Sequence, residues 1–157
     1  NNHLWLSCTC IEPDTSGSNP VYIQADYGHE IETFQKEKLL AEYTKFRRYD
    51  CYSSAPPNLM SRKDWIELKG YDQEHFPIRG SDPDLAKRFI DKFGHKNLIG
   101  VGDALLYHFG EITTRKASPY SGDDILKSRE TFQKIHKITI QEFLQSFNFG
   151  KRVENIN

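Results

Sequence analysis

The chain has 157 residues, with 21 basic against 22 acidic side chains and a net charge of −1 at pH 7. That balance gives no electrostatic footing for nucleic acid or an anionic membrane surface, and the length suits one domain. At 37% hydrophobic and 13% aromatic, the composition supports a core and argues against disorder.

In chain order, residues 3–11, "HLWLSCTCI", are apolar and β-leaning. The chain opens inside this strand-like stretch without a Met, the pattern expected of a piece of something longer. Cys8 and Cys10 stand one residue apart, too close for an ordinary disulfide or a zinc knuckle. With Cys51 they make an odd set, expected to be buried free thiols in a reducing cytoplasm. "EPDTSGSNP" (12–20) is a loop, and "VYIQADYG" (21–28) a short extended piece. In residues 30–48, Ile31, Phe34, Leu39, Leu40, Tyr43 and Phe46 recur at helical spacing. Pro56 and Pro57 force the next segment to be extended.

Residues 61–69 predict a short helix, with Ser61 as its cap, Asp64 at the capping-box position and Gly70 as its end. A second helix is predicted over about 82–93, stopped by Gly94. "KNLIGVGDALLYHFG" (96–110) reads as one or two strands. Residues 111–124 form a polar, Gly/Pro-containing lid loop, and 124–147 a helical region broken near "HKIT". That region could pack on a partner or on its own body, and oligomeric state stays open. The whole predicts a single α/β domain with a mixed sheet and flanking helices. No apolar run approaches the roughly 20 residues of a membrane span.

Chemistry centres on "RGSDPDLAKRF", residues 79–89. Locally, Asp82 before Pro83 reads as a helix cap, and Asp84 complements the helix dipole. A metal clamp is disfavoured, because the pair follows a polar loop and does not close an apolar strand. A paired-carboxylate hydrolase is disfavoured too. Its carboxyls flank the scissile bond at about 5–9 Å, which residues two apart at one helix start seldom achieve.

Three ordered motifs raise a further expectation. "MSRKDWIELKGYDQEHF", "SDPDLAKRF" and "VGDALLYHFGEITTRK" together resemble the acceptor half of inverting, family-2-type glycosyltransferases with the GT-A fold. The likeness spans roughly residues 53–116, and "CIEP…NP…DYG" upstream fits one branch of that family. It implies transfer of a sugar from a nucleotide-diphospho-sugar donor to a glycan or lipid-linked acceptor hydroxyl. Asp82 matches the catalytic base, which takes the acceptor's proton as its oxygen attacks the anomeric carbon. Asp84 matches the acidic residue that supports the acceptor or the helix. His108 matches a histidine that serves some members as a metal ligand or diphosphate contact. Thr113, Thr114, Arg115 and Lys116 match a mobile loop over the donor diphosphate. Trp65 and Tyr71 are candidates for acceptor contact, with core packing the rival role for Trp65.

The resemblance also implies a divalent cofactor, Mn²⁺ or Mg²⁺, held with an Asp-x-Asp pair. No segment before residue 58 supplies that pair, so the chain reads as the acceptor-binding part of a longer transferase. Its place is expected to be cytoplasmic, with any membrane association made through other segments. Arg88 is expected to pair with a carboxylate. His3, His29, His75, His95 and His136 fall at no ligand spacing and receive no role. The alternative is a non-catalytic carbohydrate- or protein-binding module on a similar aromatic-rich scaffold.

Overall fold

The computed structural model describes residues 3–13, 21–46, 49–110 and 122–153. Its centre is β1 (Trp5–Glu12), an inner strand of a mixed five-stranded sheet. On one side β1 pairs in parallel with β5 (Leu98–Tyr107), whose outer edge carries β3 (Cys51–Tyr52), antiparallel. On the other side β1 is shared by two short strands. β4 (Asn58–Met60) runs antiparallel to its first half, and β2 (Tyr22–Gln24) parallel to its last three residues. A strand with parallel neighbours is covered on both faces, which fits the near-continuous burial of β1. Its buried hydroxyls are satisfied: Ser7 donates to the Ser53 carbonyl at 3.0 Å and Thr9 to the Val101 carbonyl at 3.2 Å.

Helices flank the sheet, so the α/β expectation holds at the level of class. α2 (Arg62–Glu67) starts as the sequence indicates, with the Ser61 hydroxyl accepting from the Asp64 N–H at 3.0 Å. α3 (Ser81–Phe93) buries Leu85, Ala86, Phe89 and Ile90, a stripe at helical spacing, and ends at Gly94. Trp5 and Phe89 meet edge to face at 5.4 Å, joining strand to helix. α4 (Gly122–His136) and α5 (Ile140–Ser146) are separate helices. The break falls at Lys137, with φ of 60°, and Thr139 with Glu142 caps the restart. Phe132 and Phe143 carry both helices onto the core, so this region packs on its own body. No helix among the described residues is long and apolar enough to cross a membrane.

Two expectations need correction. The single helix over 30–48 is instead a 3₁₀ turn (Ile31–Thr33), α1 (Lys36–Glu42) and a second 3₁₀ turn (Tyr43–Lys45). Phe34 leaves the helix with an extended backbone, and its ring stacks on Tyr107 at 5.1 Å and meets the edge of Phe109. α1 buries nothing, so its apolar periodicity has no core to cover.

The second correction concerns α3, whose cap is Gly80 and not Asp82. Gly80 sits at φ of 92°, and a Cβ there would meet Ser128 Oγ at 2.5 Å and the Phe76 ring at 2.7 Å. The helix therefore begins two residues earlier than a side-chain cap at 82 would place it, and Asp82 is left exposed in the first turn. The Ser128 hydroxyl donates to the Arg79 carbonyl at 2.9 Å, pinning α4 to this junction. Gly80→Ala combines a left-handed backbone with overpacking and is expected to cost roughly 2–4 kcal/mol. Urea denaturation measures it, and a loss under about 0.5 kcal/mol would contradict the tight junction.

Candidate active site

The carboxyl ends of β2, β1 and β5 lie side by side. Cys10 is level with Tyr22, and Glu12 with Gln24. Side chains alternate along a strand, so Cys10 and Glu12 project from one face. Bulging decides what joins them from β5. Cys8 lies opposite Val101, yet the next residue, Thr9, lies opposite Leu105, so Gly102, Asp103 and Ala104 are looped out. The Asp50 carboxylate accepts the Gly102 N–H at 2.9 Å and holds the bulge. Beyond it Tyr107 is level with Ile11, and the His108 N–H bonds the Ile11 carbonyl at 2.8 Å. His108 thereby comes beside Glu12, with Nδ1 and Oε1 2.5 Å apart. The Cys10 thiol completes the group: the donor atoms of Cys10, Glu12 and His108 all lie within 4.8 Å of one another.

Hydrogen bonding to Glu12 raises the His108 imidazole above its ordinary range, against the opposing effect of burial. Burial pushes the Cys10 thiol far up, helped by Cys8 and Glu12. The Tyr22 hydroxyl is raised by burial first, then by Cys10, Glu12 and Asp82. Tyr22 thus stands within electrostatic reach of both the strand-end cluster and the start of α3. Tyr71 flanks Asp82: burial, the Asp82 charge and a hydrogen bond with that carboxylate push its hydroxyl up to about 12. Asn58 interacts with the same hydroxyl, and its Oδ1 accepts from Trp5 Nε1 at 3.0 Å. Next to Tyr71 opens a cleft of about 420 Å³, with Lys69, Asp72, Glu74, His75 and Arg88 in its wall.

The predicted residues separate accordingly. Asp82 interacts with Tyr71 at the start of α3, His108 meets Glu12 at the strand end, and the Tyr22 hydroxyl is raised by charge from both places. Trp65 packs at the surface, edge on to Tyr71 at 5.3 Å and over Gly70, and 38% of it stays exposed. Asp84 does not reach the cleft as a ligand. Only 1% exposed, its Oδ2 takes two guanidinium bonds from Arg88, at 2.9 and 2.6 Å, while Oδ1 meets His136 Nε2 at 2.8 Å. Of its two expected roles it keeps the helix-supporting one. Arg88 pairs with a carboxylate as expected, and it also donates to the Leu68 and Gly70 carbonyls. It therefore braces the turn that presents Tyr71. Thr113, Thr114, Arg115 and Lys116, with most of the lid at 111–124, lie outside the described residues. The three cysteines are buried and unbridged, as expected.

Sequence reasoning missed two histidines. His136 reaches Asp84, and its spacing of four from buried Phe132 placed it on the inward face of a helix, a signal that could have found it. His3 meets Asp64 at 2.7 Å, and so the carboxylate expected to close a capping box is turned to another element. No local pattern announces that pairing.

The residues around His108 offer one carboxylate, one imidazole and one thiol. Mg²⁺ and Mn²⁺ favour oxygen-rich shells, so this trio does not fit either ion by itself. Comparison of the chain with family models, with characterised proteins and with solved structures finds no match to any of them.

Proposed function

We propose that the chain carries the acceptor-binding and base-supplying part of an inverting glycosyltransferase of the GT-A, family-2 kind. One observation carries this reading. Asp82, exposed at a helix start, lies within electrostatic reach of Tyr22, which also feels Glu12 and Cys10 at the strand end where His108 sits. On this support we read the residue expected to act as base and the histidine expected at the donor end as parts of one site.

In this reading the acceptor lies along the polar cleft, its C–H face against Tyr71 and Trp65 and its hydroxyl at Asp82. A wall rich in charged groups suits a ligand made of hydroxyls. As the acceptor oxygen attacks, the anomeric carbon's bond to the diphosphate breaks, and the hydroxyl proton passes to Asp82. Tyr71 holds that carboxylate in position, itself braced through Gly70 and Arg88. Thr114, Arg115 and Lys116 are assigned to the donor diphosphate, whose departing charge needs cationic neighbours. A divalent cation would supply further neutralisation of that leaving group; the steps assigned to these side chains do not run through it.

The test is acceptor-dependent release of nucleoside diphosphate from a panel of nucleotide sugars, with thermal shift against the same glycans alone. Release that requires acceptor supports transfer. A glycan-induced shift without release favours the non-catalytic binding module. No response to donor, acceptor or both removes the reading.

A further inference from the structure

We propose that Cys10, Glu12 and His108 form a zinc site with three protein ligands and one open position. The assignment concerns metal chemistry alone and stands whether or not the chain transfers sugars. Three features on adjacent strands build the site. Cys10 and Glu12 share a face of β1, and the β5 bulge delivers His108 to that face. The three donor atoms lie within 4.8 Å of one another. Zinc with sulfur at about 2.3 Å and nitrogen or oxygen at about 2.0–2.2 Å spaces its donors by roughly 3.3–3.8 Å, which small side-chain rotations reach.

Donor chemistry selects the ion. A thiolate excludes the hard, oxygen-seeking cations, and the mixed sulfur, nitrogen and oxygen set suits zinc. Burial explains why the three groups need a cation. Cys10 is fully buried and the Glu12 side chain is 12% exposed, so that carboxylate is held largely away from water, and among the described residues the His108 ring is the group that shares its charge. Zinc would take the place of the proton between Glu12 and His108, while the Cys10 thiol gives its proton to solvent on coordination. The His108 side chain is 43% exposed, which leaves one side of the site open to water or an anionic oxygen. Neighbouring Tyr22, level with Cys10 on β2, stands where a hydroxyl could steady the ligand sphere.

The test uses the whole chain, stripped with chelator, and zinc or cobalt ions as the only probes. One equivalent of Zn²⁺ should bind and raise the melting temperature. Co²⁺ should give a thiolate-to-metal charge-transfer band with the intense visible bands of tetrahedral coordination. Cys10→Ser should abolish the charge-transfer band, and His108→Ala should weaken Zn²⁺ binding by about 100-fold or more. His108 is partly exposed, so its variant keeps the test decisive if Cys10→Ser fails to fold. Cys8→Ser and His29→Ala, the latter at an exposed site beside Asp26, should leave both signals intact. Absence of stoichiometric Zn²⁺ binding, unchanged affinity in His108→Ala, or loss of the band in Cys8→Ser in place of Cys10→Ser would each overturn the assignment.

Discussion

Asp82→Asn is expected to lower acceptor-dependent transfer by about 10²- to 10⁴-fold, the range that a positioned proton acceptor contributes. The amide matches the carboxylate in shape and cannot take the acceptor's proton. Asp82 is exposed in the first turn of α3, so losing its charge removes only a dipole contribution of about 0.3–1 kcal/mol. Folding should survive, and the loss should appear in turnover more than in glycan affinity. A second readout needs no activity. Tyr71 is held near 12 by burial first and by the Asp82 charge and hydrogen bond after that. In Asp82→Asn its titration should move down toward 10 without reaching it, because burial persists. Ultraviolet difference spectroscopy follows that phenol. Full transfer activity in the variant would remove Asp82 from the mechanism, and an unmoved Tyr71 would contradict the contact between them.

Asp84→Ala is expected to cost about 3–5 kcal/mol, because it strands the buried His136 and takes from the half-buried Arg88 the carboxylate it is paired with. Arg88 gives Nε and one terminal nitrogen to this carboxylate, and His136, 6% exposed, meets it through Nε2. Against a typical total of about 5–15 kcal/mol, the loss leaves a marginal fold. Asp84→Asn should lose less, since the amide oxygen can still accept from Arg88. The damage should reach the site as well: Arg88 braces the Leu68 and Gly70 carbonyls, so the turn bearing Tyr71 loosens when its anchor goes.

The pH dependence has a definite sign. Burial would raise the Asp84 carboxyl, but hydrogen bonds from His136 and Arg88 and their charges outweigh it and hold the group below its ordinary value. A depressed folded-state value means that the ionised form is favoured by folding. Its contribution is therefore present above the unfolded carboxyl's pKa, about 3.9, and is lost as pH falls through the folded value. Urea midpoints measured from neutral pH down into that acid range should converge between wild type and Asp84→Ala. A wild-type midpoint that stayed constant through that range, or a variant loss under about 1 kcal/mol at neutral pH, would show that the carboxylate is not clamped.

Local sequence carried much of the architecture because local physics dominates at those positions. β1 reads as an apolar strand because both its faces are covered. Ser61 reads as a cap because its hydroxyl needs only a backbone N–H three residues on. Gly94 ends α3 because its φ of 90° is open to glycine at little cost. The interruption near "HKIT" was also visible, and the structure closes it with a capping pair at Thr139 and Glu142. Spacing misled over 30–48, where a helical apolar pattern found no core to cover and Phe34 left the helix for Tyr107.

What the amino-acid order determined by itself was the first strand, the helices α2 and α3 in outline, the break before α5, the near-neutral charge and the residue types available for chemistry. Only the tertiary structure decided which of those residues meet. Advancing β5 by the looped-out residues Gly102, Asp103 and Ala104 changes which of its side chains share a face with Glu12, and it brings His108 there. Packing of α4 against α3 brings His136 to Asp84 across 52 positions, and so turns a candidate ligand into a structural anchor. The physical reason is the same in both cases. A strand's face reverses with each residue of register, and a buried charge must find its partner wherever the chain returns, and neither constraint is written within reach of a local pattern.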